Sequence, residues 1–168
     1  MIKLLMKIYA YFRRTRNPLI LPLVDSWYTT YSKLTMAKFS KFINSYDYKA
    51  DKYGGLIDRN ETFEHFIDES ATSDRDCDDW ARMWSLWGIF NGYTAHEFII
   101  LNRWRPFKTA HVITVLEKKG KFYLCNYRHH PATNSLKEAI DIMKDIDLDY
   151  SKNMICVLND EFEPVNPE

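Results

Sequence analysis

Residues 74–92 read DRDCDDWARMWSLWGIFNG. Within this stretch Trp80, Trp84 and Trp87 recur at i, i+4 and i+7, which places three large rings on one stripe of a helix. Asp76 has the side chain of an N-cap, and Asp79 stands three residues on as the acid of a capping box. Asn91-Gly92 is a stop, because glycine takes the left-handed conformation that ends helices. The spacing therefore predicts a helix over 77–91 with its tryptophan stripe turned into a core. Cys77 becomes the first helical residue.

After Gly92 the periodicity changes. The runs HEFIILN, HVITVLE, KFYLCNY and MICVLN are rich in β-branched and aromatic residues and read as strands. A helix over about 136–146 interrupts them, opened by Ser135 and Glu138 as a second capping box. Upstream, residues 2–14 have helical spacing, Pro18 and Pro22 stop a helix from continuing through 18–22, and Ser26 is a candidate cap for a helix over about 27–45. A loop surrounds Gly54-Gly55, and 61–69 is a short helix. Helices come first and an antiparallel sheet comes after them, which is an α+β pattern. The length of 168 residues suits one domain, with a basic helical part at 1–45 and a core at 46–160.

Formal net charge is zero, with 23 basic and 23 acidic residues, so no global charge draws the chain to nucleic acid. The distribution is uneven. Residues 1–41 hold eight Lys/Arg and one acid, leaving 15 basic and 22 acidic residues in the remainder. The two regions attract each other, or the basic start offers a weak contact to a membrane or a protein. Three cysteines, Cys77, Cys125 and Cys156, form no disulfide framework, which favours a reducing, cytoplasmic setting. No run reaches the ~18 apolar residues of a membrane span, and the N-terminus lacks the layout of a signal peptide.

Cys77 has Asp74, Asp76, Asp78 and Asp79 as sequence neighbours. The helix start favours a thiolate through its unpaired N–H groups and dipole, whereas the acids oppose one. A base is required, and His111, which opens a strand, is the best candidate. His111 and Asn126 are 15 residues apart, an odd number. Across a hairpin with a two- or four-residue loop, that parity puts both on one face. With Lys118-Lys119 at the tip they lie opposite one another; with Lys119-Gly120 at the tip they lie diagonally. An amide oxygen beside an imidazole fixes its tautomer and aims the ring, the part played by the third member of a Cys-His-Asn triad. A metal site at Cys125, His129 and His130 is disfavoured, because Cys125 alternates to the other strand face and no second cysteine pair completes a zinc set. His96-Glu97 is a rival base pair with no orienting partner.

The succession DCDDWA, HVITV and FYLCN resembles the transglutaminase-like superfamily of cysteine enzymes, and most closely the bacterial transglutaminase-like cysteine proteinases. The motifs span about 77–126. The resemblance implies a papain-like, transglutaminase-like fold, with the cysteine at a helix start packed on an antiparallel sheet. It implies a cysteine-dependent amide hydrolase in which Cys77 is the nucleophile, His111 the base and Asn126 its orienter, with a protein or peptide substrate and no cofactor or metal. The alternatives are a transglutaminase-type amide transferase and a non-catalytic binding module that keeps the fold. Arg75 stands where the family pattern has glycine, Trp80 where it has Phe or Tyr, and Asn126 where transglutaminases have Asp. Trp27, Tyr46 and Tyr53 are candidates for a second oxyanion donor.

Overall fold

A computed structural model describes residues 30–49, 66–67, 75–102, 111–146 and 154–159. Among them are three helices, α1 (Met36–Ile43), α2 (Cys77–Phe90) and α3 (Leu136–Ile146), and five strands. The strands are β1 (Thr94–Asn102), β2 (His111–Lys118), β3 (Lys121–Asn126), β4 (Arg128–His129) and β5 (Met154–Asn159). They form one sheet in the order β4-β3-β2-β1-β5, every neighbouring pair antiparallel. The α+β expectation holds. The expected helix over 2–14, the Gly54-Gly55 loop, Ser26, Trp27 and Tyr53 lie outside the described residues, as does most of 61–69.

The capping signals at 76–92 and 135–138 are realised with one change of partner. Asp76 accepts from the Asp78 N–H at 3.3 Å, and Asp79 Oδ2 accepts from the Asp76 N–H at 3.1 Å. At α3, Ser135 Oγ accepts from the Glu138 N–H at 3.1 Å, but Glu138 Oε2 takes the Asn134 N–H at 3.0 Å instead of that of Ser135. The helix expected over 27–45 is interrupted among the described residues: residue 30 is helical and α1 begins only at Met36. Residues 31–34 form a turn, and Thr35, an N-cap residue type, starts α1 by accepting from the Lys38 N–H at 3.4 Å. Strand β4 was not expected from the sequence, since its turn at Tyr127 carries no glycine.

The sheet is covered on both faces. Thr114, Leu116 and Cys125 face α2, where Phe39, Ile43, Phe66, Trp80, Met83, Trp84 and Trp87 form one core. Ile113, Val115 and Leu124 face the other way, into a core with Phe98, Ile100, Ile140 and Met143. Each such fully buried apolar side chain contributes about 1.5–3 kcal/mol. The tryptophan stripe is core, as its spacing predicts: Trp80, Trp84 and Trp87 are all buried.

Three contacts fix how α2 runs along the sheet. Thr114 Oγ1 donates to the Ala81 carbonyl at 2.8 Å. A Cβ at Gly88 would collide with the Leu116 side chain. Lys118 Nζ donates to the Asn91 carbonyl at 2.6 Å. Ten helical residues rise about 15 Å, and four strand residues about 13 Å. The helix and β2 therefore advance together in the same direction. The N-terminus of α2, with Cys77, lies at the His111 end of β2.

Candidate active site

Cys77 is the first residue of α2 and is half-buried. Asp76 holds extended backbone at φ −114°, ψ −164°, and turns its carboxylate onto the helix N–H groups. Donor atoms of Asp76, Cys77 and Asp78 all lie within 4.8 Å of one another. Two carboxylates beside the sulfur raise the cost of a thiolate, and the N-terminal dipole offsets part of it. This is the one group of His, Cys, Asp and Glu with metal-ligand spacing among the described residues. The Asp76 carboxylate is engaged in capping. Cys125, His129 and His130 do not gather into such a group, although Cys125 and His129 are cross-strand partners.

His111 and Asn126 meet. The imidazole Nε2 lies 2.7 Å from Asn126 Oδ1, and both residues are buried. An amide oxygen only accepts, so Nε2 carries the proton and Nδ1 keeps its lone pair. The imidazole is thus held as the tautomer whose basic nitrogen is Nδ1. The hairpin explains the encounter. Lys119 and Gly120 have φ of 53° and 69° and form a two-residue tip, with Lys118 paired to Lys121. Thr114 opposite Cys125 carries Asn126 opposite Ile113, hence diagonal to His111. Of the two hairpin geometries, the Lys119-Gly120 tip is the one formed.

Alternation puts His111 and Asn126 on the face shared with Ile113 and Leu124, while α2 covers the Thr114 face. Cys77 stands at the same end of the sheet, on α2. Tyr127 joins the two halves. It leaves the strand alternation at φ 55°. Its ring centroid is 5.5 Å from that of His111 and 5.7 Å from that of Trp80, one turn beyond Cys77. The Tyr127 carbonyl receives Asn44 Nδ2 at 2.7 Å and Trp84 Nε1 at 3.2 Å. These two donors pin the tip next to Asn126.

No local signal marks Tyr127 or Asn44, whose contact spans 83 residues. Arg75, at the family's glycine position, is buried. Its Nε donates to the Phe66 carbonyl at 2.7 Å, and its guanidinium carbon lies 5.2 Å from the Tyr46 ring centroid. It packs beneath the helix entry between two aromatic rings. Tyr46 is part of the same aromatic packing, against Phe42 and Phe66. His96 lies 3.2 Å from Glu117, at the far end of β2 from His111. Cys125 is buried against the α2 core, and burial pushes its thiol well above the ordinary value. Cys77 and Cys125 carry no disulfide.

No family model, curated protein or solved structure matches the chain. No helix among the described residues is long and apolar enough to cross a membrane.

Proposed function

We propose that this chain is a cysteine-dependent amide hydrolase of papain-like, transglutaminase-like architecture, working in a reducing, cytoplasmic compartment. The observation that carries the reading is the buried 2.7 Å contact between His111 Nε2 and Asn126 Oδ1 at the end of the sheet where the Cys77 helix begins. It leaves Nδ1 as the base.

His111 Nδ1 takes the proton of Cys77. The thiolate adds to the carbonyl carbon of an amide, and the carbonyl oxygen becomes an oxyanion. The N–H of Cys77 belongs to the first turn, whose N–H groups have no intrahelical acceptor, and it contributes to holding that oxyanion. The C–N bond breaks as the imidazolium protonates the leaving amine. Nδ1 then takes a proton from water, hydroxide adds to the thioester, and the acid leaves as the sulfur departs. With an amine in place of that water the same steps give amide transfer. Asn126 holds the ring through every protonation change.

A second reading is favoured by a separate observation. Carboxylate oxygens within 4.8 Å of the sulfur suit a binding module that keeps the fold without turnover.

The test is the pH profile of Cys77 alkylation by iodoacetamide, read by peptide mass spectrometry, in wild type and His111→Ala. The hydrolase predicts reaction well below the ~8.5 of an ordinary thiol, and loss of that shift in His111→Ala. Equal, unshifted profiles would make the binding module the correct reading.

A further inference from the structure

An open groove of about 540 Å³ runs between α1 and the β3–β4 hairpin, within the ~300–1,000 Å³ of ligand pockets. Ser40, Lys41 and Asn44 line one wall, and Asn126, Arg128 and His130 the other. The groove therefore ends on the residue that orients His111. We propose that it binds an acidic peptide segment of the substrate, an inference that rests on the amide-hydrolase reading.

The argument is the charge of the two walls. Residues 26–46, which supply α1, contain three lysines and no acid. Residues 118–137, which supply the hairpin, contain five Lys/Arg and no acid. In a chain with 23 acidic residues, both walls of one groove are free of them. Lys41 and Arg128 are exposed on opposite sides of it. An anionic segment laid between them meets two cations and no acid among the lining residues. His129 and His130 add hydrogen-bonding groups without charge near neutral pH, because burial lowers both, and Arg128 and His129 lower His130 further. The hairpin tip is braced by Asn44 and Trp84, so the wall carrying Arg128 is preformed. A peptide is favoured over other anions because the groove abuts Asn126, and thus delivers its occupant to the amide-cleaving end of the sheet. Of the eight basic residues in 1–41, Lys41 lines this groove.

The test measures binding without turnover. The full-length protein carrying Cys77→Ala is titrated, by fluorescence anisotropy, against a labelled hexapeptide with three glutamates and its three-glutamine and three-lysine counterparts. The glutamate peptide is expected to bind about tenfold more tightly than the glutamine peptide, as two exposed charge pairs allow. Lys41→Glu with Arg128→Glu removes that preference, and added salt weakens it. Both side chains are exposed, and thermal melts confirm that the variant folds. Equal affinity for the glutamate and glutamine peptides, or a preference that survives the double variant, overturns the proposal. So does a failure of the glutamate peptide alongside Lys41- and Arg128-dependent sedimentation with phosphatidylserine vesicles, which would make the groove a membrane surface. Alkylation of Cys77 in the wild type reads the chemistry independently. An unactivated thiol with intact, charge-dependent peptide binding overturns the hydrolase and supports the groove.

Discussion

At the scale of single residues, the consequential contact is an amide where a carboxylate would do a different job. Asn126 holds the His111 ring without charge, so an imidazolium formed in the proposed reaction would gain orientation from it and no Coulombic partner. A carboxylate at that position favours the protonated ring. In Asn126→Asp the alkaline limb of the Cys77 alkylation profile is therefore expected to move up. In Asn126→Ala the limb stays and the rate near neutral pH falls. Asn126 is buried, so Asp also costs stability, which a thermal melt separates from the shift in the limb. A side chain that only closed the strand end would leave the limb in place in both variants. Cys125 serves as an internal standard in the same experiment. Its buried, high-pKa thiol reacts slowly in every variant.

Among the elements, α2 shows what local sequence can and cannot specify. Its bounds, cap and buried stripe were legible because each rests on neighbours within a turn: Asp76 with Asp79, the tryptophans with one another, Gly92 at its positive φ. The hairpin was legible for the same reason, since parity with an even-length loop puts His111 and Asn126 on one face. The layer relation was not. Whether α2 covers the His111 face or the Thr114 face depends on contacts such as Thr114 to Ala81, 33 residues apart, which no periodicity encodes. Tyr127 was hidden for a related reason. Its left-handed backbone costs about 1–3 kcal/mol for a non-glycine residue, and it is held by donors from α1 and α2 rather than by a turn motif. Gly88 tests the packing of α2 directly. Alanine there gains about 1 kcal/mol of helix propensity. It also drives a methyl group into Leu116, which is fully buried, at a cost of about 1–3 kcal/mol. We expect Gly88→Ala to be destabilised by about 1 kcal/mol in urea unfolding. Leu116→Val is expected to cost less in that background than alone, because the two sites share the same space. Additive losses would mean that the helix does not press on Leu116.

Across the molecule, the polar and charged groups are sorted by end. The acids at the start of α2 lie by Cys77, the imidazole and amide close the same end of the sheet, and the cationic groove includes Asn126 in its lining. His129 and His130 belong to the groove, and both resist protonation in the folded chain, chiefly through burial. Their effect on stability has a definite sign. Below the ordinary histidine value of ~6.5 the unfolded chain takes up protons that the folded chain does not, so the unfolded state binds more protons and stability falls as pH falls. Above that value both states are neutral at these rings and the contribution is flat. The melting temperature is therefore expected to drop between pH 7.5 and 5.5, and a variant carrying His129→Gln and His130→Gln to drop less over the same interval. An identical slope in the two proteins would mean that these rings titrate alike in the folded and unfolded chain. Protonation would also place two further positive charges along a groove that already presents Lys41 and Arg128. Acidification thus weakens the fold while strengthening its attraction for a glutamate-rich peptide. Such a peptide, binding only the folded state, is expected to recover part of the lost melting temperature at pH 5.5 in wild type, and less in the double glutamine variant.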